Sequence, residues 1–172
     1  MMAFPARAAA LRLAIGLSTI LSAACFESAF PLDPAPQTDI DARLPGAWHC
    51  IGPDAGDRDM TLTIARTRDR VYALTFQEFG QEAADRYEAH ASMVAGAPLV
   101  NVRSLNPSEK PWAFVRYTLL RPKVLQLQIV DEKALKNVTA PPAAVRQAIE
   151  RQIKDPALFL DACTCVRMND AR

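Results

Sequence analysis

The chain has 172 residues, 50% apolar and 23% charged, which fits one folded domain with a leader and excludes wholesale disorder. Lys and Arg number 20 against 19 Asp and Glu, a net charge of +1. Residues 1–24 hold Arg7 and Arg12 and no acid, so without them the balance is 18 to 19, or −1. A chain so balanced lacks the basic stripe of nucleic-acid binders, and nucleic acid is excluded as a partner.

Residues 1–24 have the three parts of an export signal. Arg7 and Arg12 supply the positive end and Leu13 to Leu21 a short apolar run, and Ser22, Ala23 and Ala24 precede Cys25. The run falls far short of the roughly 20 residues that a membrane-spanning helix needs. Leu21-Ser22-Ala23-Ala24-Cys25 resembles the lipobox of bacterial lipoproteins, with Ser22 where the family usually has Leu and Leu21 one position further back. In that family the cysteine sulfur is diacylated, the leader is cut before it, and the new N-terminus is acylated with a palmitate-type chain. The resemblance implies lipid attachment at Cys25, the bacterial cell envelope as location and the membrane as a partner. Phe26 stands where some lipoproteins carry an Asp retention signal, which points to the outer membrane, facing the periplasm. Ser22-Ala23-Ala24 also suits ordinary cleavage, giving a secreted or periplasmic soluble protein as the alternative. Each buried methylene is worth roughly 0.8 kcal/mol, so several acyl chains hold a soluble domain firmly. Phe30 to Pro36 is Pro-rich and suits an extended spacer, so residues 25–42 read as anchor cysteine and tether. Residues 43–172 read as a single β-rich domain.

Within that domain, short alternating runs are separated by turn chemistry. Trp48 to Ile51 precede the turn cluster Gly52 to Asp57. Met60, Leu62 and Ile64 alternate with Thr61 and Thr63, and Tyr72, Leu74 and Phe76 with Ala73, Thr75 and Gln77. Tyr87, Ala89, Ala91 and Met93 share a face opposite Glu88 and His90. Leu99 to Val102, Trp112 to Leu120, and Leu125, Leu127 and Ile129 continue the series. The period then changes: Val145, Ala148, Ile149 and Ile153 fall at helical spacing, with Pro141-Pro142 suited to the first turn. This helix either lies on the sheet or plugs its open end. Asp155-Pro156 starts a second helical turn, and Cys163 to Met168 read as an eighth strand. The expected fold is mainly β, bordering on α+β: an antiparallel, barrel-like meander of about eight strands, with one C-terminal helix before the last strand.

Gly46-Ala47-Trp48 opens the first strand, and with the eight short strands it resembles the calycin pattern of lipocalins and fatty-acid-binding proteins. That family's first strand carries Gly-x-Trp, and an Arg near the end of the barrel packs across the Trp. The resemblance casts Arg167 in that part and implies an apolar ligand inside the barrel. The helix before the last strand departs from lipocalins, whose long helix follows it.

An exported protein meets an oxidising compartment, so Cys50, Cys163 and Cys165 read first as disulfide partners. Residues 163, 165 and 167 share one strand face, as do 48 and 50. If the last strand pairs with the first, Cys50 faces Cys163 or Cys165. With Cys25 lipidated one thiol is left over; with Cys25 free, four make two bridges. His49 and Cys50 point to opposite faces, which argues against a shared metal ion, and no metal or other cofactor is expected. Asp54, Asp57 and Asp59 lack the spacing and distal Glu of a calcium loop. With two histidines, His49 and His90, and no Gly-x-Ser-x-Gly or phosphate loop, no catalytic residue is assigned. The sequence thus reads as a non-catalytic binding or scaffold lipoprotein, for an apolar ligand or an envelope partner. The alternative is a small envelope hydrolase, or a redox or metal-binding protein, using His49, His90 or the Cys163/Cys165 pair.

Overall fold

The structure, a computed structural model, describes residues 26–54, 56, 57, 59–106, 108, 111–135, 138 and 141–169. Eight antiparallel strands form a closed barrel in strict sequence order. They are β1 (Gly46–Ile51), β2 (Met60–Arg68), β3 (Val71–Glu78), β4 (Asp85–Val94), β5 (Ala97–Ser104), β6 (Trp112–Arg121), β7 (Val124–Val130) and β8 (Phe159–Arg167). Closure comes from β1 pairing with β8, with Trp48 opposite Arg167 and Cys50 opposite Cys165. The β-meander expected from the alternation is therefore the observed fold. A closed barrel leaves no strand edge unpaired, so each strand finds both its partners inside one chain.

Alternation sets the two faces. Trp48 and Cys50, Leu62 and Ile64, Tyr72 and Leu74, Ala89 and Ala91, Val100, Leu125, Cys163 and Cys165 form the inner core. A register shift between Leu127 and Gln128 lets β8 change face, so Phe159 lies outside while Cys163 lies inside.

The connections β1–β2, β3–β4, β5–β6 and β7–β8 all lie at one end of the barrel, here termed the mouth. The other end carries three tight hairpins. In the β4–β5 hairpin, Ala95 (φ 47°) and Gly96 (φ 81°) are both left-handed, the geometry that matches strand twist in a two-residue turn.

Between β7 and β8 the chain forms α1 (Glu132–Leu135), which the sequence pattern did not reveal, and α2 (Pro142–Gln152), then a 3₁₀ turn over Pro156–Leu158. Of the two placements open to it, α2 takes the outside of the barrel. Val145, Ala148, Ile149 and Ile153 pack with Val94, Leu99, Phe114, Val130 and Phe159, which all face outward. A patch of apolar outer wall here accounts for the helix's narrow apolar face.

The spacer reading gives way over residues 26–42. Phe26, Leu32, Ile40 and Leu44 are buried, so the folded unit includes this segment and does not start at residue 43. The segment is a strap. Phe26 donates its N–H to Val130, Ser28 bridges Trp112 in both directions, and Gln37 donates to Ala91. The prolines lie between the buried anchor residues, where a missing N–H costs no ladder hydrogen bond.

Candidate functional site: the barrel interior and its two ends

Opposite the mouth, the strap folds under the barrel. Leu44 and Ile40 join the inner core, and the Trp48 indole, fully buried, donates Nε1–H to the Leu44 carbonyl at 2.8 Å. The Arg167 guanidinium lies 5.2 Å from the Trp48 ring centroid. It also donates to the carbonyls of Arg43 and of Pro45, the latter at 2.7 Å. Gly46 fits beneath it at φ 135°, and a Cβ there would stand 2.7 Å from Arg167 Nη2. Gly46, Trp48 and Arg167 thus meet at one point, where a cation, an aromatic face and two carbonyls tie the first strand, the last strand and the strap together. Beside them Tyr117, partly buried, accepts the Asp41 N–H at 3.3 Å through its hydroxyl.

At the mouth the inner face is apolar but not sealed. Met60, Phe76, Tyr87 and Val102 point inward, yet each is only partly buried. Phe76 and Tyr87 meet edge to face with centroids 5.7 Å apart. Around these residues the loops carry exposed apolar side chains: Ile51 at the end of β1, Phe79 after β3 and Leu105 after β5.

Inside the wall, Cys50 and Cys165 form a disulfide across the β1–β8 seam, spanning 115 residues of sequence. Of the two partners the strand faces left open for Cys50, the register selects Cys165. Cys163 is a free, buried thiol with its Sγ 3.6 Å from that of Cys165. All three sulfurs lie within 4.8 Å of one another. Burial in apolar surroundings pushes the Cys163 thiol up to about 11, which keeps it protonated and unreactive at neutral pH. With two of the three sulfurs bonded to each other, the cluster offers one thiol and not a ligand set.

The histidines go to different places. His49 lies on the outer face near the mouth, its Nε2 2.9 Å from an Asp59 carboxylate oxygen and its ring edge-on to Phe79. Both partners of that contact are well exposed, so it contributes little to stability. His90 is buried beneath the strap. Its Nε2 stands 3.2 Å from the Asp33 carbonyl and its ring is edge-on to Trp112. Desolvation lowers its pKa from 6.5, outweighing the hydrogen bond to Asp33. Glu88, its neighbour along β4, bonds Arg68 and Arg103 instead.

Sequence reasoning missed the polar clamp around His90. Asn101, fully buried, accepts the Leu32 N–H at 2.8 Å and donates to the His90 carbonyl and the Ser92 hydroxyl. Arg146 of α2 makes a two-pronged bond to Asp33 of the strap at 2.9 Å, holds Glu150 and donates to the Met93 carbonyl. An Asn at an apolar strand position was the one signal available. Cys25 lies outside the described residues.

No protein-family profile matches this chain, and no curated protein matches it. Among solved structures it is similar to a redesigned β-barrel, with 9% identity and a TM-score of 0.44, over 78% of this chain and all of that one.

Proposed function

We propose that this protein is a lipid-anchored, non-catalytic barrel of the bacterial envelope that holds an apolar ligand in its mouth. The observation that carries the reading is the set of inward-facing apolar side chains at the mouth, Met60, Phe76, Tyr87 and Val102, left partly open to solvent; Val115, Tyr117, Leu119 and Leu127 of the inner face are partly buried as well. Small-molecule sites are concave and mostly apolar, and the interior of an eight-stranded barrel is either filled by its own side chains or holds one small ligand. The meeting of Gly46, Trp48 and Arg167 is in keeping with the calycin resemblance, and it closes only the end away from the mouth. Anchoring at Cys25 rests on the lipobox-type leader and puts the barrel on the periplasmic face of the outer membrane.

Titration with cis-parinaric acid, a fluorescent fatty acid, tests the ligand half. Saturable one-to-one uptake is expected, with affinity at least about tenfold weaker in Tyr87→Asp, a loss near 1.4 kcal/mol. Absence of saturable uptake would falsify it. For the anchor, Cys25→Ser is expected to move the protein out of the membrane fraction, and an unchanged fraction would refute lipid attachment.

A further inference from the structure

We infer that the mouth of the barrel rests on the membrane surface, so that the barrel opens onto the bilayer and not into bulk water. The inference rests on lipid attachment at Cys25 and adds to it an orientation and a docking surface. Little free chain separates Cys25 from the barrel. Phe26, directly after Cys25, is buried, stacked on Phe114 and hydrogen-bonded to the carbonyl of Val130. Two residues on, Ser28 bridges Trp112. Val130 is the last residue of β7 and Trp112 the first of β6, and both belong to the mouth end. A lipid on Cys25 is therefore separated from the folded barrel by no spacer. The acyl chains enter the bilayer beside the mouth, and the mouth has to lie at the surface.

The mouth also presents apolar side chains to its surroundings. Three of its connections each place one large apolar side chain in solvent: Ile51 (50% exposed), Phe79 (61%) and Leu105 (52%). Phe30, two residues beyond the Ser28 bridge, is a fourth, at 51%. Such side chains around one end suit a headgroup–acyl boundary. The opposite end exposes as many apolar side chains, Met93, Leu120, Val166 and Met168, but no part of the chain next to the lipid site reaches them. Among the described residues of the β1–β2 and β3–β4 connections and the strand ends beside them, Asp54, Asp57, Asp59, Glu78, Glu82 and Asp85 outnumber Arg86, and the start of the β7–β8 connection adds Asp131 and Glu132 against Lys133. That balance suits a zwitterionic surface and disfavours an anionic one.

The test uses the lipidated protein in phosphatidylcholine vesicles whose acyl chains carry bromine, a short-range quencher of tryptophan. Reporter tryptophans replace exposed residues in single variants: Phe79→Trp and Leu105→Trp at the mouth, Leu120→Trp and Val166→Trp at the far end. Trp48 and Trp112 are buried and give the same background in all four. Quenching several-fold greater at 79 and 105 than at 120 and 166 is expected, weakening when anionic phosphatidylglycerol is mixed in at low salt. Equal quenching at both ends, or greater quenching at 120 and 166, overturns the orientation while the anchor stands. Failure of the protein to float with the vesicles sinks the anchor, and the docking with it.

Discussion

Individual residues carry the covalent and polar ties of this barrel. Cys50–Cys165 crosses the seam where the first strand meets the last, so it closes nearly the whole domain into one loop. By loop-closure entropy such a bridge stabilises by up to about 4–5 kcal/mol. Cys50→Ser should lower the denaturation free energy by an amount of that order, while Cys163→Ala should leave the bridge intact and cost far less. Peptide mapping under non-reducing conditions checks the assignment: a Cys50–Cys163 peptide would contradict the register described above. His90 gives a pH dependence with a defined sign. Its pKa in the folded protein lies below 6.5, so the folded state resists protonation more than the unfolded chain does. Its contribution is complete above pH 6.5 and is lost as pH falls through that value toward the folded pKa. Denaturation midpoints at pH 7.5 and 5.5 should therefore differ less in His90→Gln than in the parent; equal differences would exclude His90 as the source.

At the scale of elements, the strap, α2 and the hairpins each have one weak point. The strap is held by Asn101, whose Oδ1 is the partner of the Leu32 N–H. Asn101→Ala leaves that buried donor without its acceptor, a cost of about 1–3 kcal/mol. Proteolysis within residues 26–44 should then speed up well before the barrel unfolds. In α2, Ile149 is fully buried against the outer wall. Ile149→Ala should cost about 2–5 kcal/mol, measured by chemical denaturation. The β4–β5 turn offers a change of the opposite sign. Ala95 holds φ 47°, a conformation costing a residue with a Cβ roughly 1–2 kcal/mol, and Ala95→Gly should raise the melting temperature. An unchanged or lower value would mean that the turn carries no such strain.

Considered whole, the molecule is asymmetric along the barrel axis. At one end the strap and Trp48 beneath Arg167 cover the barrel, with Tyr117 and Leu119 partly exposed beside them; the other holds half-open apolar side chains on the side where Phe26 is held. Most of the fold was legible because strand alternation and helical spacing are local, and each is written in a few consecutive residues. The meander order, the helix before β8 and the shared face of Trp48 and Cys50 all followed from that. The strap was not legible. Phe26, Leu32, Ile40 and Leu44 have no period, and the prolines between them read as a linker until the surface they bury is known. For the site, the sequence brought Gly46, Trp48 and Arg167 forward, but the mouth draws on four strands, and the clamp ties Leu32 to Asn101 and Asp33 to Arg146, pairs more than 60 positions apart. By itself, then, the sequence determined the strand number, the two faces of each strand and the candidates for the bridge, since these depend on near neighbours. Only the tertiary structure decided which cysteine Cys50 meets, where α2 lies and which end stays open. Those depend on register and on which surfaces remain to be covered once the barrel has closed.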